Sequence, residues 1–321
     1  MNDRVTVEIW DNQAESAVQM HHIFELSHPF LSPMNRSNIH SFYQAICRNF
    51  EQSALVAKIQ EQICGYALLC AGNSPTTVKL IGGVHPKYRD QGIGSMLHNK
   101  LIFHTTQHPD ALQLETSTVG SCTEGISFLS KRGFVEMDRG HWSYRPAAAP
   151  FSNKVQNKAA QIGPDIDIVS GSTFESMRVD WDRAWWELVM TANKDIPSVI
   201  PHKTIPFEQW KIHLSPPFLN RSHALVALDG FNPVGVLHLD EVNNGIINIC
   251  YTGVAPTHRR MGLSTALKLE AFKLAQRLGA HTVGTFNHHK NPMLHLNHKL
   301  GFVTKETLLT YVKDLSDSCV P

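Results

Sequence analysis

The sequence has no long hydrophobic run, no cysteine spacing of the paired or Cys-x-x-Cys kind, and almost no net charge. Its longest nearly apolar stretch, ICGYALLCAG at 63–72, has ten residues, about half of the ~20 that a membrane-spanning helix requires. The first residues, MNDRVTVEIWD, lack a hydrophobic signal region. No membrane partner is expected, and a cytoplasmic location is. The six cysteines (Cys47, Cys64, Cys70, Cys122, Cys250 and Cys319) fall at unrelated spacings, which argues for ordinary thiols and against a disulfide frame or zinc site. With 29 basic and 28 acidic residues the net charge is +1, so no global attraction for nucleic acid is expected. The 19 histidines include His104 with His108, the adjacent His21 and His22, and a group at His288, His289, His295 and His298. None adds a carboxylate or thiolate at ligand spacing, and no metal is expected.

What the chain does have is a repeat. Residues 53–70, SALVAKIQEQICGYALLC, align without a gap on residues 223–240, HALVALDGFNPVGVLHLD, at an offset of 170. The same offset carries VHPKYRDQGIGSML (84–97) onto VAPTHRRMGLSTAL (254–267), pairing Val84 with Val254, Pro86 with Pro256, Arg89 with Arg259 and Gly92 with Gly262. At 321 residues, 42% of them hydrophobic, the chain is long enough for two domains with separate cores. The expected division is 1–149, a linker at 150–164 that is rich in proline, alanine and polar residues, and 165–321. A short helix is expected within that linker, at 153–161.

The order of elements also repeats. Strands are expected at 5–10, 54–59, 63–71 and 76–84, a helix on the Ile93, Leu97, Leu101 face, a strand at 111–119, a short helix ending at Gly133, and a strand within 134–145. The second half follows with a strand at DIDIVSG, a helix over 173–192, strands at 224–229, 234–240 and 246–254, a helix carrying Leu263, Leu267, Ala271, Leu274 and Leu278, a strand at HTVGTFN, a helix at 291–302 and a closing strand at 303–314. The fold class is therefore α/β of the α+β kind: two tandem domains, each a mixed, mostly antiparallel sheet flanked by helices.

Arg-x-x-Gly-x-Gly at 89–94 and Arg-x-x-Gly-x-Ser at 259–264 stand between the third central strand and a helix in both halves. The free N–H groups and positive dipole end of a helix start attract anions. Glycine lets a phosphate approach the backbone, and an arginine adds charge. The loop lacks the Gly-Lys-Ser/Thr of a Walker motif, and it follows a meander rather than the first strand of a βαβ unit, which excludes a Rossmann fingerprint.

A strand followed by V-x-P-x-x-R-x-x-G-x-G/A and a helix resembles motif A of the GNAT superfamily of N-acetyltransferases. The resemblance spans the whole chain twice, in a mycothiol-synthase-like two-domain arrangement. Downstream, TFNHHKNPMLHLNHKLGF (285–302) resembles the family pattern more fully than the first half, which keeps only Lys131-Arg132-Gly133-Phe134 and has Thr118, Val119 and Thr123 near the asparagine positions.

The resemblance implies an acetyl-CoA-dependent N-acetyltransferase acting on a small-molecule or peptide amine. It implies acetyl-CoA as cosubstrate, held in the second half by Val254, Arg259, Arg260, Gly262, Leu263, Ser264, Asn287 and Asn291. In the first half it would be held by Val84, Arg89, Gln91, Gly92 and Gly94. The main-chain N–H near Val254 would polarise the thioester carbonyl. The fuller pattern places the chemistry in the second half, with the first half as a CoA-binding or structural partner. The alternatives are catalysis in the first half, with Glu115 as base, and a non-catalytic acyl-CoA sensor. Where family members carry a tyrosine acid, this chain has Asn297 and Leu129, and where some carry a glutamate base it has Asn248. General acid and base are thus unassigned; Asp240, Glu241 and Glu187 read as solvated surface charges, or as candidates acting through water. Asn291 precedes Pro292 at a helix start, so helix capping is an equal reading of it. His258, beside Arg259 and Arg260, would supplement the phosphate patch or serve as a plain surface histidine. Trp181, Trp185 and Trp186 read as a core helix face or an acceptor wall, and Asp195-Ile196-Pro197 as a loop near the acceptor. The chain is expected to be a monomer, as an internal pseudo-dimer, or a homodimer.

Overall fold

The computed structural model describes residues 5–27, 36–72, 74, 76–105, 108, 110–194, 204–214 and 219–315. Its elements run β1 (Thr6–Ile9), α1 (Ala14–Ser27), α2 (Arg36–Ile46), β2 (Ala54–Ile59), β3 (Gln62–Ala71), β4 (Thr77–Val84), α3 (Ile93–Thr105), β5 (Gln113–Val119), α4 (Thr123–Ser130) and β6 (Val135–Pro146). The second repeat follows as α5 (Asn153–Ala159), β7 (Ile166–Ser170), α6 (Gly171–Met177), α7 (Trp181–Asn193), α8 (Phe207–Trp210), β8 (Ala224–Asp229), β9 (Asn232–Leu239), β10 (Ile246–Val254), α9 (Leu263–Arg277), β11 (Thr282–His288), α10 (Pro292–Lys299) and β12 (Val303–Asp314).

Two compact units result, and they do not follow the repeat boundary. One comprises Met1–Arg139 with Thr307–Pro321, the other Gly140–Glu306. The last strand of each repeat crosses over. Leu308–Asp314 of β12 pairs antiparallel with β5 in the first unit, whereas Gly140–Pro146 of β6 pairs antiparallel with β11 in the second. The division expected at 150–164 thus moves: Leu309, Tyr311 and Leu315 are buried in the first unit's core.

The first unit carries strands β1, β2, β3, β4, β5 and the end of β12 in that order, antiparallel except for β4 with β5. Side chains of a strand alternate between faces, so Leu55 and Ala57 join Ile93, Leu97 and Leu101 of α3 on one side. Ala54 and Val56 meet Ala17, Met20 and Ile23 of α1 on the other. A bulge between Ala57 and Lys58 shifts the register there. The second unit repeats the plan, with its bulge between Ala227 and Leu228. Leu263, Leu267 and Ala271 of α9 pack on one face, and Trp185, Leu188 and Val189 of α7 on the other.

The linker is not a tether. Ser152 Oγ caps α5 by accepting from Val155 N, and Val155 and Ala159 are buried in the second unit's core beside Phe151 and Ile162. The buried Arg145 stacks its guanidinium 3.9 Å from the Phe151 ring and donates to the carbonyls of Ala149 and Pro150. Gln276 of α9 donates to Ala147 O at 2.8 Å.

The helix expected over 173–192 is two helices. Ser170 caps α6 by accepting from Thr173 N; the chain is extended at Arg178 before α7 begins.

Candidate active site

In each unit two parallel strands start together and then part. β4 pairs with β5 only over Thr77–Lys79 against Gln113–Glu115, after which β4 stays with β3 and β5 with β12. Thr116 Oγ1 reaches across the opening to Leu80 O at 2.9 Å. In the second unit β10 pairs with β11 over Ile246–Ile249 against Thr282–Thr285, and β10 carries a further bulge between Ile249 and Tyr251. His85 N donates to Cys64 O, and Ala255 N to Val234 O. Because an antiparallel ladder alternates its bonding direction residue by residue, the N–H groups of Val84, Gly82 and Val254 point away from β3 and β9, into the openings.

The loops that follow share one backbone shape. Asp90 and Gly92 have φ of 61° and 82°; Arg260 and Gly262 have 64° and 93°. Successive amides in such a turn form an anion-binding nest at the start of α3 and α9. Arg89 Nε donates to Val84 O at 3.2 Å, and Arg259 Nε to Val254 O at the same distance. Each arginine therefore ties its loop to the strand end, a brace absent from the phosphate-binding role expected of it.

The surroundings of the two loops differ. A Cβ at Gly92 would meet nothing within 4 Å, whereas one at Gly262 would collide with the carbonyl oxygen of Lys158 at the end of α5. Lys158 Nζ also donates to Arg260 O at 3.0 Å. A cleft of about 360 Å³ opens in the first unit. It runs from the cradle residues Asp90, Gly92, Gly94 and Ser95 past Gly82 and Val84 to Thr116–Thr118 of β5 and Phe128 of α4, with His98 on its floor. Tyr66 lines it too, and burial raises the pKa of this phenol, keeping it protonated. Gln91, beside the cradle, is exposed and donates to Lys87 O. Gly94 sits close under Phe128, whose ring carries the Arg132 guanidinium at 3.5 Å. Arg132 Nη2 donates to Ser95 Oγ at 2.6 Å.

The other expected residues have definite places. Leu263 is buried and Ser264 half-buried at the start of α9. Asn291 Oδ1 caps α10 by accepting from Met293 N at 2.9 Å. Asn287 Oδ1 accepts from the buried Asn297 at 2.6 Å. Asp240 Oδ1 and Oδ2 accept from Asn248 N and Nδ2 at 2.6 and 2.8 Å, and burial raises its pKa. Asn248 lies six residues along β10 from Val254, about 20 Å of strand, so Asp240 holds the far end of β10 and stands away from the cradle. Glu241 is exposed and accepts from Asn220; Glu187 is exposed. Glu115 pairs with Lys79 at 3.3 Å. His258 Nε2 lies 3.2 Å from Asp229 Oδ2. Trp185 is core, and Trp186 Nε1 donates to Ile205 O. Asp195, Ile196 and Pro197 lie outside the described residues. Among the described residues no cluster of three or more His, Cys, Asp or Glu has metal-site geometry, and no helix is long and apolar enough to cross a membrane.

Both the sequence and the overall fold match known proteins. Residues 51–136 match the family model "Acetyltransferase (GNAT) domain" and residues 183–302 match "Acetyltransferase (GNAT) family". The chain is a tandem member of the GNAT superfamily. It is an N-acetyltransferase by family. No curated protein sequence matches it. Among solved structures, a GCN5-related N-acetyltransferase from Sphaerobacter thermophilus superposes with a TM-score of 0.74 at 17% identity, covering 98% of this chain and 97% of that one. A tandem GNAT protein from the clavulanic acid biosynthesis pathway gives a TM-score of 0.70 at 16% identity, covering 97% and 98%. At these identities the likeness is one of fold.

His98, Phe128 and Arg132 were not singled out from sequence as site residues. The available signal was His98 itself, an ionisable residue next to Leu97 on a helix whose apolar face is otherwise Ile93, Leu97 and Leu101. Its counterpart at the 170-residue offset is Lys268, which is also buried.

Proposed function

We propose that this GNAT enzyme uses acetyl-CoA as donor, that the donor site lies in the first unit, and that the acceptor is a small-molecule or peptide amine. The observation that carries the placement is the contrast between the open cradle at Gly92 and the covered one at Gly262. The fuller motif of the second half pointed the other way, but Asn287 and Asn291 are engaged by Asn297 and Met293 N.

The first unit's residues fit such a donor. The nest at Asp90–Ser95 suits a pyrophosphate, and the exposed Gln91 stands beside it. The N–H groups of Gly82 and Val84, aimed into the strand opening, suit the amides and thioester carbonyl of an extended arm. Acetyl-CoA supplies an acyl group already activated as a thioester. The chain contributes orientation and hydrogen-bond donors fixed before the donor arrives.

A matched pair of charge substitutions tests the placement. Gln91→Glu sets a carboxylate beside the first cradle, and Met261→Glu does the same at the second. Thiol release from acetyl-CoA with a panel of amines is expected to show KM for the donor raised about tenfold or more by Gln91→Glu and unchanged by Met261→Glu. The reverse pattern would move the donor site to the second unit. Absence of release with every amine would leave acyl-CoA binding without transfer.

A further inference from the structure

The anion cradle of the first unit has a cation stationed at it, and no acidic side chain answers that charge. Arg132, just past the end of α4, stacks its guanidinium 3.5 Å from the centre of the Phe128 ring and donates to Phe128 O at 3.0 Å. Its Nη2 donates at 2.6 Å to Oγ of Ser95, which stands in the first turn of α3 and lines the cleft. These contacts fix the side chain against the start of α3. Among the described residues no carboxylate pairs with it. A positive charge at the positive end of a helix is unfavourable by itself. This one is also partly desolvated, which holds its pKa below the ordinary arginine value, although it stays charged at neutral pH. An anion in the cradle turns both terms favourable.

The second unit lacks this charge. Lys131-Arg132-Gly133-Phe134 aligns on Lys299-Leu300-Gly301-Phe302, so Arg132 is matched by Leu300, which is buried in that unit's core. Ser95 is matched by Thr265, buried as well. The cation stands at the open cradle and is missing from the covered one.

We infer that Arg132 is the charge that positions the donor's pyrophosphate in the first cradle, acting through Ser95, whose Oγ it holds. The inference rests on the placement of the donor in the first unit. Ser95 accepts from the guanidinium, which leaves its own hydroxyl hydrogen and its backbone N–H to donate. The guanidinium stands one side chain behind those donors, near enough for its charge to act on whatever they bind in a site partly closed to water. Arg132 is thus a positioning residue: it sets the affinity for the donor and takes no part in acyl transfer.

Arg132→Met keeps much of the side chain's length and removes its charge. By calorimetry on the full chain, its Kd is expected to rise about tenfold for acetyl-CoA and as much for acetyl-dephospho-CoA, which retains the pyrophosphate. For S-acetylpantetheine, which has the arm and no phosphate, Kd should not change. Arg132→Lys should recover part of the loss, and Ser95→Ala joined to Arg132→Met should cost less than the two changes added. A loss seen with acetyl-CoA and absent with acetyl-dephospho-CoA would give Arg132 the ribose phosphate instead and overturn the inference. An equal loss for all three donors, with a lower Tm, would make Arg132 a packing residue of α4. If Arg132→Met binds acetyl-CoA as tightly as the unchanged chain while Gln91→Glu binds weakly, the role of Arg132 is overturned and the placement stands. If Gln91→Glu also binds as tightly, or the chain binds no acetyl-CoA, both fall.

Discussion

The carbonyl oxygen of Lys158 lies against Gly262, in the space that a Cβ on that glycine would need. The last turn of α5 thereby covers a helix start whose backbone is otherwise the twin of the open one at Gly92. An alanine separates the two. At Gly92 it meets only the strain of a positive φ, about 1 kcal/mol, but places a methyl group in the anion's approach. At Gly262 it meets the same strain and the Lys158 backbone. Gly92→Ala is expected to lower Tm by a few degrees and raise donor KM at least tenfold. Gly262→Ala should lower Tm further and leave donor KM unchanged, as read by thermal melting and steady-state kinetics.

Lys268 is fully buried, its Nζ has no hydrogen-bond partner, and burial brings its pKa down to about 7 from an ordinary 10.5. The folded state holds this lysine neutral above pH 7, while the unfolded chain keeps its proton up to about 10. The unfolded state thus binds more protons across that window, and stability rises with pH from 7 towards 10. Below pH 7 the charged form is carried in both states and the folded one bears the full cost of burying it. Lys268→Met should raise stability near pH 7 by a few kcal/mol and flatten its increase between pH 7 and 10. Denaturant unfolding at several pH values measures both.

Asp240 accepts two hydrogen bonds from Asn248, and an amide in its place can meet only one of them with an oxygen. Asp240→Asn is expected to destabilise the chain by about 1–2 kcal/mol and leave turnover unchanged. A loss of turnover above tenfold with Tm intact would make Asp240 part of the reaction.

The core of the first unit includes Leu309, Tyr311 and Leu315. A chain that stops at Glu306 keeps the whole donor cradle but leaves β5 without its antiparallel neighbour. Such a chain should lose acetyl-CoA binding and bind a hydrophobic dye, with calorimetry and dye fluorescence as the readouts. Full binding would show that the first unit closes without β12.

Strands made of apolar and β-branched runs were plain in the sequence: the span expected at 54–59 is β2 itself, and 246–254 is β10. The cradles were plain as well, because a positive φ at Gly92 and Gly262 and a strand-to-helix turn leave a local signature. What stayed hidden depends on partners far along the chain. The side-by-side fit of Thr282 with Pro146 has no local mark, so the crossing of β6 and β12 between units could not be read. The proline- and alanine-rich stretch at 145–165 has the composition of a tether, and only the burial of Val155 and Ala159 turns it into a cover. The single helix expected over 173–192 failed at Val179-Asp180, where Arg178 is extended and Val179 stands fully in solvent.

The crossing strands also set a timetable. As the ribosome releases the chain, β5 emerges long before the segment that will lie beside it, and nearly 190 residues separate Val119 from Leu308. Through that interval the first unit has an open strand edge, which is the usual starting point for pairing with the wrong chain. The second unit faces no such delay, because Gly140–Pro146 is already made when β11 appears. In this chain the half made first would be the half finished last.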